Sequence, residues 1–454
     1  METNLSITEQ LAQFICEHTP EKIPASLLNG TRGFVLDWLG CVLAGSAFDA
    51  GKHLMEYANV QEQGSCTIFG TKQRKGVETA ALVNGGLCHV TEMDDLHRTS
   101  VIHPAAPVIS AAFAVAEQKG KSGRELLDAI ILGYEVAIRI GESVGKSHYK
   151  IWHNTATCGV FGAAAAAGYL YELSAEQMTW ALGNAGTMAS GLWEFNAEGA
   201  MSKALHTGKA ASNGIAAAQL ACFGFTGARA ILEGKRGFFA ATSHDAEPEK
   251  VTLGISSSMS HYRILTTSIK PYASCRHTHP AIDAALQLRK QYGIKSSHIA
   301  KIQVETYQAA LDLTSNPDPA HVYGAKFSLP YCTAVAFHLG HAGLEAFNPE
   351  IIANSEICNL MKNVTLCHSP ELEVAYPEKW SSSLQVTLHS GETLEHYIDS
   401  PKGDPENPLS LDELNQKFYN MLQYVGLESK ADALIQQIRK LENLPDLRPV
   451  LQIL

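Results

Sequence analysis

The chain has 454 residues, with 35 Lys+Arg against 46 Asp+Glu, a formal net charge of −11, and 45% hydrophobic and 18% charged residues. That composition excludes a disordered or low-complexity chain, and single cores stop growing near roughly 250–300 residues, so two domains are expected. An acidic chain without a basic block is a poor partner for nucleic acid, whose binding rests on phosphate neutralisation.

The opening METNLSITEQ has no basic region and no apolar run, and reads as no secretory signal. Ser6 to Glu9 then carries helix-capping chemistry ahead of Leu11, Phe14 and Ile15. Phe34 to Leu43 recurs at helical spacing and stops at Gly45. Further helices are predicted over 104–117, 123–143, 155–171, 175–189 and 209–223. The windows 151–171 and 210–228 lack Lys, Arg, Asp and Glu, but they are built on Ala and Gly and broken by polar residues. Buried, closely packed helices fit them better than membrane spans, so no membrane partner is expected. Ten scattered cysteines without a CxxC spacing give neither a zinc ribbon nor a disulfide framework. The chain reads as soluble and cytoplasmic.

The style changes near 266–271. A helix over 280–292 is followed by a strand over 299–306 and by strands 383–389 and 394–398, paired as a hairpin through Ser390-Gly391. SPKGDPENP (400–408) reads as a linker, and a Ser410–Glu413 capping pattern restarts helix. The resulting fold class is mainly α. A large all-helical domain, residues 1–267 with 401–454, carries an inserted smaller α+β domain over 268–400.

Potential catalytic side chains precede several predicted helices: His103 before Pro104, His279 before Pro280, His153 before Asn154-Thr155, Lys203 and His206 before Gly208, and Tyr331 behind Ser328. Residues before proline adopt extended geometry, and helix N-termini favour anions, so such positions suit carboxylate ligands. Asp94 and Asp95, followed by His97, Arg98 and His103, concentrate titratable groups within ten residues. Singly, each feature has a plainer reading: a helix boundary, a solvated lysine, a core tyrosine. His277 and His279 lack a third ligand at zinc-enzyme spacing, so no metal is expected. Dinucleotide, P-loop, nucleophile-elbow and triad patterns are absent.

MDDLHRTSVIHPAAP (93–107), WHNTATCGVFGAAAAAG (152–168), MSKALHTGKAASNGIAAAQLACFGFTGA (201–228), SCRHTHPAIDAAL (274–286), AKFSLPYCTAVA (325–336) and SPKGDPENPLSLDEL (400–414) resemble, in order, blocks of the MmgE/PrpD family. That family includes 2-methylcitrate dehydratase, cis-aconitate decarboxylase and iminodisuccinate epimerase. The resemblance implies a helical domain with a smaller lid domain, a site in the cleft between them, a homodimer, and no metal or organic cofactor. It gives catalytic roles to Asp94, His103, His153, Lys203 and Tyr331. Asp95, His97, Arg98, His206, His277 and His279 become the expected substrate-binding side chains. Two departures stand out. Leu96 follows the acidic pair where the family often has a hydroxyl residue, and Ala105-Ala106-Pro107 replaces the Ser-Asp-Asn typical of methylcitrate dehydratases.

The implied function is a cofactor-independent lyase for a small citrate- or aconitate-like polycarboxylate, working by acid–base chemistry α to a carboxylate. Lys203, imidazolium and helix N–H groups would stabilise the developing charge, and His103 or His153 would move the proton. The alternatives are an epimerase of a substituted succinate and a non-catalytic binding protein of the same fold.

Overall fold

The computed structural model describes residues 5–256 and 261–454. The chain forms two compact units: the chain up to Thr267 together with Leu414–Leu454, and Ser268–Glu413.

The first unit is a helical assembly. Ser6 caps the helix Ile7–Cys16 reciprocally, its Oγ accepting the Glu9 N–H at 3.1 Å while Glu9 Oε2 accepts the Ser6 N–H at 2.9 Å. The helices Val77–Val90, Ala105–Lys119, Gly159–Leu170 and Ser202–Cys222 are buried over most of their lengths. Their small residues let the axes approach. A Cβ on Gly208 would lie 2.2 Å from the Leu82 carbonyl oxygen, and one on Gly162 would lie 2.5 Å from that of Gly133. Trp38, Phe69 and Phe113 form an aromatic core with ring centroids 5.2–5.4 Å apart. From Leu414 onward the helix Leu411–Tyr424 belongs to this unit, with Phe418 and Met421 against Gly40 and Lys417 paired with Asp37.

Three expectations are corrected here. Lys203 and His206 do not precede a helix; they lie inside Ser202–Cys222, because Gly208 serves close packing and not a boundary. The helix expected over 155–171 is broken at Cys158 into Asn154–Thr157 and Gly159–Leu170, with Phe161 N–H bonded one residue short, to the Cys158 carbonyl. The unit is also not wholly helical. Gln63–Thr67 pairs antiparallel with Arg74–Lys75, pinned by Glu117, which accepts both the N–H and the Oγ1–H of Thr67 at 2.8 Å. Among the described residues no single helix is long and apolar enough to cross a membrane.

The second unit contains a four-stranded sheet in the order Val364–His368, Ile299–Thr306, Ser382–Leu388, Thr393–Ile398. The first pair is parallel and the others antiparallel. Ile302 opposes Val386, Val304 opposes Leu384, and Val386 opposes Leu394, so one face is a buried apolar row. Gly391 turns the hairpin at φ +91°, a backbone that glycine adopts without strain. Val364–His368 escaped the sequence reading because its burial does not alternate cleanly and its partner strand is distant. Residues 401–413, read from sequence with the helical part, group here. Ile269 N–H donates to the Gly403 carbonyl at 3.0 Å, and Asp404 accepts from Arg276 at 2.5 Å.

Candidate active site

The turn after Val77–Val90 builds most of the polar centre of the helical unit. Thr91 Oγ1 donates to the Cys88 carbonyl (3.0 Å) and accepts the Met93 N–H (3.2 Å), closing the helix end. Glu92 then adopts φ +56°, which reverses the chain and brings Asp94 back onto the helix it has just left. There His89 Nδ1 donates to Asp94 Oδ2 at 2.6 Å, with both side chains buried. His89 Nε2 is buried without a hydrogen-bond partner.

The neighbouring carboxylate does different work. Asp95 Oδ1 accepts the Ala105 N–H (3.0 Å) at the start of Ala105–Lys119, and Oδ2 accepts the Tyr134 hydroxyl (2.7 Å). Burial pushes this carboxyl well above the ordinary carboxylate range. His103 Nδ1 donates to the Asp95 carbonyl at 2.6 Å and lies 3.7 Å from Asp94 Oδ1. The His103 N–H donates to Thr155 Oγ1 at 3.1 Å. With Nδ1 committed as a donor, the neutral ring carries its lone pair on Nε2.

Around this core stand three more groups. His153, at the N-cap of Asn154–Thr157, is buried between Trp193 (4.8 Å between rings) and His89 (5.7 Å), with Nδ1 3.3 Å from His206 Nδ1. Burial, helped by His89 and Lys203, holds the His153 imidazole well below its ordinary range, and burial lowers His206 to about 4. Lys203 is buried and ion-paired with Glu92. The rings of His89 and His103 are 4.9 Å apart. The structure therefore brings together Asp94, His103, His153, Lys203 and His206.

Other expected residues are employed elsewhere. Both ring nitrogens of His97 are bonded, to Ser100 Oγ (2.9 Å) and Thr266 Oγ1 (3.0 Å), and burial lowers its pKa to about 4. Arg98 sits half-buried in a turn closed by the Val101 N–H on its carbonyl. In the second unit, His279 begins the helix His279–Tyr292, correcting its expected place before it. Its Nδ1 accepts from Arg276 (2.8 Å), and its Nε2 donates to the Ser274 carbonyl (3.2 Å). His277 stacks on Trp380 at 4.2 Å, its Nδ1 bonds the Tyr307 hydroxyl at 2.7 Å, and burial lowers it to about 3. Tyr331, in the buried helix Leu329–Leu339, donates its hydroxyl to the Ala346 carbonyl at 2.5 Å, and burial raises its pKa.

Sequence reasoning missed His89, Glu92 and Trp193 in the helical unit, and the buried Lys270 and Lys326 in the second. The spacing from His89 to Asp94 was readable, but nothing local marks a helix end that folds back. Ligand atoms of His89, Asp94 and His103 lie within 4.8 Å of one another, the one grouping among the described residues with the donor set for a cation. Both Nδ1 atoms donate within the protein, which orients the two rings and leaves the lone pair of each neutral imidazole on Nε2, the atom that can take a proton or a ligand.

Residues 9–251 match the MmgE/PrpD N-terminal domain, and residues 272–443 match the MmgE/PrpD C-terminal domain. The chain belongs to the MmgE/PrpD family. Relatives of this MmgE/PrpD chain include a cis-aconitate decarboxylase of Aspergillus terreus, 26% identical over 473 residues, covering 99% of this chain and 96% of the relative. The human cis-aconitate decarboxylase is 26% identical over 458 residues, covering 97% and 93%. A cis-aconitate decarboxylase-like protein of Aspergillus oryzae is 26% identical over 481 residues, covering 99% and 97%.

Proposed function

We propose that this protein is a cofactor-independent lyase that decarboxylates cis-aconitate or a close polycarboxylate relative. The observation that carries the reading is the cluster itself: a buried His89–Asp94 pair against His103, with Lys203 and His153 beside it. Full-length similarity to proteins named cis-aconitate decarboxylase supports the choice of substrate.

The residues divide the reaction simply. Loss of CO2 breaks a C–C bond and leaves an electron pair on the carbon it joined, delocalised toward a carboxylate that is already negative. A fixed ammonium answers that charge most effectively in a water-poor site, where it needs no reorganisation, and this is the role of Lys203. His103 delivers the proton that quenches the carbanion and gives an unsaturated diacid. Asp94 supports the imidazolium form of the ring next to it, and His153 and His206 contact substrate as neutral imidazoles. Asp95 positions His103 through its carbonyl and through its hold on Ala105–Lys119. His97, His279 and Tyr331 serve structure, since their side-chain polar atoms are bonded within the protein, and His277 does so through Tyr307 and its stack on Trp380.

Leu96 is buried and gives the substrate no polar contact. The apolar Ala105 and Ala106 also favour decarboxylation over water loss from a hydroxy acid, since neither side chain can hold a departing hydroxyl. We further read the protein as a homodimer, as the family resemblance implies, and as cytoplasmic, from its composition. The test is incubation of the purified chain with citrate, 2-methylcitrate, cis-aconitate and iminodisuccinate, with CO2 trapped and products resolved by NMR. CO2 release from cis-aconitate alone supports the reading, whereas turnover confined to citrate, 2-methylcitrate or iminodisuccinate contradicts it.

A further inference from the structure

We infer that Glu92 is a positioning residue for Lys203, and that its left-handed backbone exists to place that carboxylate. The inference rests on the assignment of Lys203 above.

Glu92 has φ +56°. A side chain with a Cβ is strained in that region, whereas glycine is not, so the turn alone gives no reason for a glutamate. The backbone of Glu92 does nothing that glycine would not do: its N–H bonds the His89 carbonyl at 3.2 Å. What the residue adds is its carboxylate, which is buried and paired with buried Lys203.

Stability does not account for the pair. Buried ion pairs lose about as much in desolvation as they gain in attraction, and well-packed apolar residues commonly replace them without loss. Lys203 also occupies the first turn of Ser202–Cys222, where the positive end of a helix opposes an ammonium. A carboxylate fixed by a strained turn offsets that repulsion and holds the ammonium in one place before substrate arrives. The same turn carries Asp94, two residues on, so a single reversal of the chain sets both the cation and the acid–base pair. Glu92 touches no reacting atom in this scheme; it acts through Lys203.

The test compares wild type, Glu92→Gln, Glu92→Gly, Lys203→Ala and the Glu92→Gln/Lys203→Ala double variant, all in the full chain. With cis-aconitate, Glu92→Gln should lower kcat by about tenfold or more while KM moves by less than about threefold, the pattern of a lost transition-state contact. On the Lys203→Ala background the same change should cost less than about twofold, because the two act as a unit. Acetylation of Lys203 by acetic anhydride, read by mass spectrometry, should rise at least about threefold in both Glu92 variants, since a paired ammonium is a poor nucleophile. Glu92→Gly relieves the backbone and keeps the comparison usable if Glu92→Gln folds poorly.

A purely structural Glu92 would lower Tm and leave kcat and the labelling of Lys203 unchanged; that outcome, or additive losses in the double variant, overturns the proposal. A wild-type chain inert toward cis-aconitate would overturn the proposed reaction instead, and the labelling would then decide the role of Glu92 alone.

Discussion

The polar interior of the helical unit and that of the second unit contain the same kinds of residue and use them in opposite ways. In the helical unit, His89, His103, His153 and His206 stand ring to ring, with His89 Nε2 left unpartnered. In the second unit both nitrogens of His279 are bonded, the terminal Arg276 nitrogens bond Asp404 and the Lys402 carbonyl while its Nε is buried without a partner, and His277 is stacked flat on Trp380. Buried polar groups that satisfy one another rigidify a fold, while unsatisfied or weakly coupled ones are where a ligand can act. Under the proposed reaction, the clustered rings of the first region carry the chemistry and the second region is expected to be mainly structural.

The sharpest way to break that contrast is to delete one group from each side. His103→Ala and Lys203→Ala should each lower kcat for cis-aconitate by about a hundredfold or more, the usual scale for general acids and charge stabilisers, with circular dichroism unchanged. If both kept near-native turnover, the helical cluster would not be the active centre. Arg276→Ala should instead cost about 3–5 kcal/mol of stability in urea unfolding, because it removes the buried guanidinium that is ion-paired with Asp404. A variant that stayed as stable as the parent would show that the second unit's network is not structural.

Acid sharpens the comparison further. His277 titrates near 3 when folded and near 6.5 when unfolded, so the unfolded chain binds the extra proton between those values. Stability from this group is therefore complete above pH 6.5 and declines as pH falls toward 3, by about 2 kcal/mol at pH 5. His277→Phe should lack that share of the loss when urea midpoints at pH 7 and pH 5 are compared. An equal loss in both proteins would contradict the assignment. The smallest effect is expected from Tyr331→Phe: about 1 kcal/mol for one lost hydrogen bond to Ala346, with kcat unchanged. A hundredfold fall in kcat would return Tyr331 to the chemistry.

What the sequence made legible was local. The capping pairs at Ser6–Glu9 and Ser410–Glu413, the N-caps His153 and Ser328, the 299–306 strand and the hairpin at Gly391 all depend on residues a few positions apart. Asp94 and His103 were readable for the same reason. His89 was not, since it sits in an almost wholly buried helix with no polar periodicity to mark it. Glu92 needed its backbone angle, and Arg276–Asp404 joins residues 128 apart, which no spacing rule reports. Lys203 and His206 were read as helix approach because Gly208 looks like a boundary, when the glycine instead lets two helices touch.

In the proposed reaction His103 quenches a carbanion left by CO2 loss in the helical unit. The most direct test is turnover of cis-aconitate by the full chain in D2O, followed by NMR and CO2 trapping, with His103→Ala alongside. Wild type should give one CO2 and one carbon-bound deuterium per product molecule, and the variant should lose about a hundredfold or more in turnover. Unchanged cis-aconitate, product without CO2, or equal turnover by the variant would contradict it.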